Sequence, residues 1–169
     1  MRHIIVFPAL FMSGLLISGQ VFAQVGGHED HGSMHMQHEP AAEQKPWGIA
    51  GRADQVDRTI EIRMDDRMRF TPETVQIKQG ETIRFVHHND GKLMHEFVLG
   101  TRQTLDEHAE AMLKQSGMMH SEAYMAHVEP AQQGEMIWTF NRAGRFEFAC
   151  LIAGHYQAGM RGSVEVLAQ

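Results

Sequence analysis

Near its end the chain contains a strand that cannot be read apart from the loop that follows it. In Phe146-Glu147-Phe148-Ala149-Cys150, Phe146, Phe148 and Cys150 fall on one face. Two phenylalanines belong in a core, so the thiol points inward with them. Cys150 is the sole cysteine of 169 residues and closes no internal disulfide. The loop runs on through Gly154, His155 and Gly159 to Met160, and both glycines allow tight turns between the donors. A thiolate, an imidazole and a weak axial thioether are all but one member of a type 1 copper ligand set, which needs a second histidine. His95, Phe97 and Leu99 alternate around Glu96 and Val98, so His95 faces the core from another strand and is the candidate.

Further strands are legible by the same alternation. They run over Arg58–Met64, Val75–Lys78, Glu81–His87, His95–Leu99, Met136–Phe140, Arg145–Cys150 and Ser163–Leu167. Short strands separated by turn residues imply an all-β chain, a Greek-key β-sandwich. His87-His88 points one imidazole to each face of its strand and reads as structural or surface. Met64 and Met68 lie in or beside the early strands, where they serve either packing or metal binding.

About 101–133 interrupts the pattern. Thr104-Leu105-Asp106-Glu107 has the form of a capping box, Glu107–Gln115 favours helix, and Ser121–His127 suggests another helical turn or two. This helical insertion carries His108, Met112, Met118, Met119, His120, Met125 and His127. His108 and Met112 share a helical face at i,i+4. Two readings stand for this group, a further copper site or methionines filling an irregular core.

The strand and loop motifs resemble the cupredoxins over roughly Ile60–Leu167. The resemblance includes Phe70–Phe85, similar to that family's second and third strands, Gly144–Cys150, and Gly162–Val166. It implies a cupredoxin sandwich in which His95, Cys150, His155 and Met160 hold copper and permit rapid electron transfer between Cu(I) and Cu(II). Cys-x4-His-x4-Met is similar to the spacing in some acid-stable members. A binuclear centre needs two cysteines, and a multicopper oxidase uses a His-Cys-His run; here Ala149 and Leu151 flank the one cysteine. Asn89, six residues before His95, is of a type that steadies ligand loops in many cupredoxins.

Residues 1–23 read as an export signal, with Arg2, an apolar run over Ile4–Ile17 and Val21-Phe22-Ala23 before the cleavage point. The run is short and broken by Pro8, Ser13 and Gly14, so no stable membrane insertion is expected after cleavage. The expected location is the periplasm, where metal ligation would explain an unpaired thiol. Loss of Arg2 takes the net charge from −6 to −7, which argues against nucleic acid as a partner.

Residues 24–46 hold few large apolar side chains and read as disordered, leaving 47–169 as the folded domain. Four histidines and two methionines, His28, His31, Met34, His35, Met36 and His38, fall within eleven residues. Imidazole suits Cu(II) and thioether selects Cu(I), so the tract is expected to bind copper; a plain linker or a generic zinc or nickel binder is the rival. With this tract, the chain resembles the periplasmic copper-resistance cupredoxins of the CopI type. The function implied is copper tolerance through binding and redox handling, with copper ions and a periplasmic redox or copper-trafficking protein as partners. A soluble electron carrier is the main alternative, docking through Leu151, Ile152, Tyr156 and Ala158. A cuprous oxidase is a further one. On the leading reading the chain is a binding and redox protein rather than an enzyme.

Overall fold

Alternation along the chain becomes two facing sheets. The computed structural model describes residues 42–114 and 120–169. The signal-like segment 1–23, the donors His28, His31, Met34, His35, Met36 and His38, and Met118 and Met119 lie outside the described residues. The first sheet contains β1 (Ile49–Ala50), β2 (Arg58–Asp65), β3 (Arg69–Thr71), β5 (Thr82–Asn89) and β8 (Gln133–Thr139), in the order β1-β8-β5-β2-β3. The second contains β4 (Thr74–Lys78), β6 (His95–Gly100), β7 (Met125–Val128), β9 (Gly144–Ala149) and β10 (Arg161–Leu167), in the order β4-β10-β9-β6-β7. The helix α1 (Arg102–Lys114) follows β6.

The chain changes sheet repeatedly, and two ladders, β2 with β5 and β4 with β10, are parallel. Parallel neighbours cannot be joined by a tight hairpin, so these connections must cross the sandwich. This is the Greek-key β-sandwich expected from the spacing of the strands. The core between the sheets is aromatic. Phe97 stacks on Phe148 with centroids 4.8 Å apart, and Phe70 meets Phe148 edge-on at 5.1 Å. His87 joins them, 4.4 Å from Phe97, while His88 lies partly buried on the opposite face near Glu61.

Every residue of β6 is buried, because both of its faces are covered. His95, Phe97 and Leu99 face the sandwich interior. Val98 packs in a second cluster with Leu105 and Ala109 of α1. Burying a leucine such as Leu105 contributes about 2 kcal/mol, which fixes the helix on the outer face of the second sheet.

Two local expectations about the insertion are corrected. The helix starts earlier than Glu107, and its cap is built from Thr101 and Thr104. The Thr104 N–H donates to Thr101 Oγ1 at 3.2 Å, and the Thr101 N–H donates to Thr104 Oγ1 at 3.0 Å. An earlier start brings Leu105 into the apolar face with Ala109. Residues 125–127, expected in a helical turn, instead form β7 with Val128. Pairing with β6 from His95↔Val128 to Val98↔Met125 supplies partners for backbone groups along that edge, which outweighs weak helix propensity.

At the other end, Gln44 is tied to the sandwich before Trp47 begins its buried stretch. Its amide donates to the Gly48 carbonyl at 2.8 Å and accepts from Asn141 Nδ2 at 2.7 Å.

Candidate metal centre

Four donors predicted from spacing are placed at one end of the sandwich. His95 opens β6, Cys150 follows β9, His155 lies in the loop and Met160 precedes β10. β9 and β10 pair antiparallel, with Ala149 opposite Arg161. Their loop closes with one more rung, in which the Cys150 N–H donates to the Met160 carbonyl at 3.1 Å. Cys150 and Met160 therefore meet at the loop base, and the loop between them returns His155. Gly154 and Gly159 have φ of 92° and 89°, left-handed values that glycine adopts without a Cβ penalty.

His95, Cys150 and His155 offer ligand atoms that all lie within 4.8 Å of one another. Among the described residues they are the group of three such donors that comes together. Cys150 Sγ is 3.3 Å from His155 Nδ1, and the two imidazole centroids are 5.1 Å apart. His95, Cys150 and Met160 are fully buried, and His155 is half-buried. Met160 shares the apolar core cluster of Cys150.

The electrostatics suit a soft cation. Burial pushes the Cys150 thiol up to about 12, opposed by the Glu96 N–H that donates to Sγ at 3.3 Å. The thiol is thus protonated at neutral pH, and a metal must displace its proton. Burial, and then the neighbouring His95, lower the His155 pKa, which keeps the imidazole neutral with a lone pair to offer. His95 Nδ1 is buried and has no hydrogen-bond partner among the described residues. An unpartnered buried nitrogen is costly in an apolar site, and a metal ion would satisfy it.

Sequence reasoning missed three supports. Asp66, in the turn after β2, lies with Oδ1 3.3 Å from His95 Nε2. The N–H of Lys92, then that of Leu93, hold the Asp66 carboxyl below the usual carboxylate range. Tyr156 donates its hydroxyl to Asp106 of α1, and Arg161 lies over its ring, which ties the ligand loop to the helix. The third is the Glu96 N–H on the thiol. A turn aspartate and a helix aspartate carry no spacing signal toward residues 29 and 50 positions away.

Asn89 is placed where a loop-steadying residue belongs. Its Nδ2 donates to the carbonyls of Leu93 and Val128 at 2.7 and 2.8 Å, and its Oδ1 accepts the Gly91 N–H. The expected docking patch is corrected. Leu151 and Tyr156 are buried in the cluster with Leu105 and Ala109 of α1, which leaves the patch only an exposed Ala158 and a partly exposed Ile152.

Of the donors predicted in the insertion, His108 and His120 are brought together, with centroids 4.7 Å apart. His108 Nε2 is buried with no hydrogen-bond partner among the described residues, and burial, then His120, lower the His108 pKa. Met112 packs against the second cluster, and Met125 is buried within it. His127 Nε2 contacts buried Glu96 at 2.8 Å.

Known proteins share both fold and sequence with this chain. The family model described as copper binding proteins, plastocyanin/azurin family, matches residues 56–167. The copper-resistant cuproprotein CopI of Rubrivivax gelatinosus is 42% identical over 166 residues, covering 98% of this chain and 99% of that protein. The protein of the same name from Pseudomonas aeruginosa is 41% identical over 149 residues, covering 71% of this chain and 82% of its own. The solved structure of auracyanin B superposes with a TM-score of 0.60 at 17% identity, covering 74% of this chain and 99% of that one.

Proposed function

This chain belongs to the plastocyanin/azurin family of copper binding proteins and is a CopI-type cupredoxin, and we propose that it provides copper tolerance in the periplasm by binding copper. We assign His95, Cys150, His155 and Met160 to a mononuclear type 1 centre. The observation that carries the assignment is the cluster of His95, Cys150 and His155, in which the buried His95 Nδ1 has no hydrogen-bond partner among the described residues. Copper bound there would supply a one-electron Cu(I)/Cu(II) couple. The residues do the rest: His95 and Cys150 exclude water by burial, the Glu96 N–H steadies the sulfur, and α1 holds the ligand loop through Tyr156.

The tolerance reading is favoured over a dedicated electron carrier. A carrier docks through exposed apolar surface beside the ligand loop, and burial of Leu151 and Tyr156 removes half of the patch foreseen for it. Copper in excess of the type 1 ion is assigned to the tract from His28 to His38 and to the insertion. The close approach of His108 and His120 supports the second of these locations.

Copper titration with optical and EPR spectra tests the reading. More than one copper per chain is expected. Deleting 24–46 should lower the stoichiometry, spare the thiolate-to-copper band and reduce survival of cells on copper. A single copper per chain, with full protection by the truncated protein, would favour the carrier instead.

Export is proposed from the first 23 residues, and among the described residues no helix is long and apolar enough to cross a membrane. Protein recovered from the periplasmic fraction should begin at Gln24 on N-terminal sequencing. Recovery of a membrane-bound product that retains Met1 would refute this.

A further inference from the structure

His95 must present one particular nitrogen inward, and a neutral imidazole has two tautomers. Its ring is fully buried, so water does not choose between them. Among the described residues Nδ1 has no hydrogen-bond partner, whereas Nε2 faces Asp66 Oδ1 at 3.3 Å. A carboxylate only accepts hydrogen bonds, so it selects the tautomer that carries hydrogen on Nε2. That leaves the Nδ1 lone pair bare, as a metal ligand requires.

Asp66 is itself held in place. Its Oδ2 accepts the Lys92 N–H at 2.8 Å and its Oδ1 accepts the Leu93 N–H at 3.2 Å, both from the loop that leads into β6. Gly91 leaves room for it, since a Cβ there would lie 2.1 Å from Asp66 Oδ1. The adjacent Arg67 is engaged by Asp65 through two nitrogens, leaving the charge of Asp66 for the imidazole. Carboxylate–histidine–metal arrangements orient the ring and raise its basicity as a ligand.

We propose that Asp66 is a positioning residue for the metal centre, fixing the His95 tautomer by its hydrogen bond and favouring the cupric state by its negative charge. The inference rests on the type 1 reading for its redox part and on metal-free geometry for the tautomer part. A carboxylate behind a ligand stabilises the more positive metal, so its charge lowers the reduction potential.

Two measurements test it. In metal-free protein, nitrogen-resolved NMR of the histidine rings should find His95 in the single tautomer protonated at Nε2, and Asp66→Ala should give a mixture. In copper-loaded protein, Asp66→Asn keeps the shape and the acceptor oxygen but removes the charge. It should retain the thiolate-to-copper band and shift the reduction potential upward. Asp66→Ala should shift it in the same direction. A wild-type His95 protonated at Nδ1 would overturn the positioning role. An unchanged potential in both variants, with the band intact, would overturn the electrostatic role. Absence of that band from copper-loaded wild type would instead overturn the type 1 reading, together with the redox part of this proposal, and the NMR result would still decide the positioning part.

Discussion

Cys150→Ser is expected to abolish the intense thiolate-to-copper absorption completely while leaving the β-sandwich folded. No other cysteine exists to replace the sulfur. A serine oxygen is a harder, far less acidic donor than a thiol and gives no comparable charge-transfer band. The fold should survive because serine is nearly isosteric, and the Glu96 N–H that donates to Sγ would meet Oγ instead. Burying the hydroxyl costs about 1–3 kcal/mol when it is poorly compensated, a fraction of a typical domain's stability. Far-ultraviolet circular dichroism should therefore match the wild type. A variant that kept the band would sink the assignment of Cys150 as the copper thiolate.

Acid should destabilise the metal-free protein well before its carboxylates titrate, and His87 should be the main cause. Its ring is fully buried between Phe85 and Phe97, and among the described residues neither nitrogen makes a well-formed hydrogen bond. Burial, with a smaller effect from His88, lowers its pKa to about 3, and the backbone of Gly134 opposite offsets this only in part. The unfolded chain then binds the proton more readily than the folded one. Stability is fully present above the unfolded value near 6.5 and falls as pH drops toward the folded value. Between pH 7 and pH 4.5 the loss from this one group is about 2–3 kcal/mol, at roughly 1.4 kcal/mol per pH unit once below 6.5. His87→Leu removes the titrating ring at similar volume, so denaturant unfolding of that variant should lose most of this slope. An equally steep dependence in the variant would assign the effect to other histidines, His108 and His155 being the next candidates because burial lowers both.

His87 also shows how far periodicity reaches. Alternation along Glu81–His87 places the ring on the face of Ile83 and Phe85. It does not say that this face is the closed interior of a sandwich, because a strand has the same period whichever side is wet. The parallel ladders β2–β5 and β4–β10 were illegible for a related reason. Register between strands distant in the chain depends on where crossovers land, and no local pattern encodes that. Ser121–His127 misled because its helix propensity is a weak local preference. The open edge of β6 imposed pairing on Met125–Val128 instead.

From the sequence alone come β2, β4, β5, β6, β8, β9 and β10, though not β1, β3 or β7, together with the inward direction of Cys150 and His95 and the glycine-hinged loop carrying His155 and Met160. Those features are local, and side-chain period, turn chemistry and donor type speak for them without tertiary information. What surrounds the donors follows instead from how the folded sheets and helix meet. Asp66 reaches His95 because the β2–β3 turn and the β5–β6 loop meet at one end of the fold, with Gly91 leaving room between them. Leu151 and Tyr156 are covered because the capped helix α1 packs across the outer face of the second sheet. Contacts of this kind join residues tens of positions apart, and they exist only once the sheets have closed on each other.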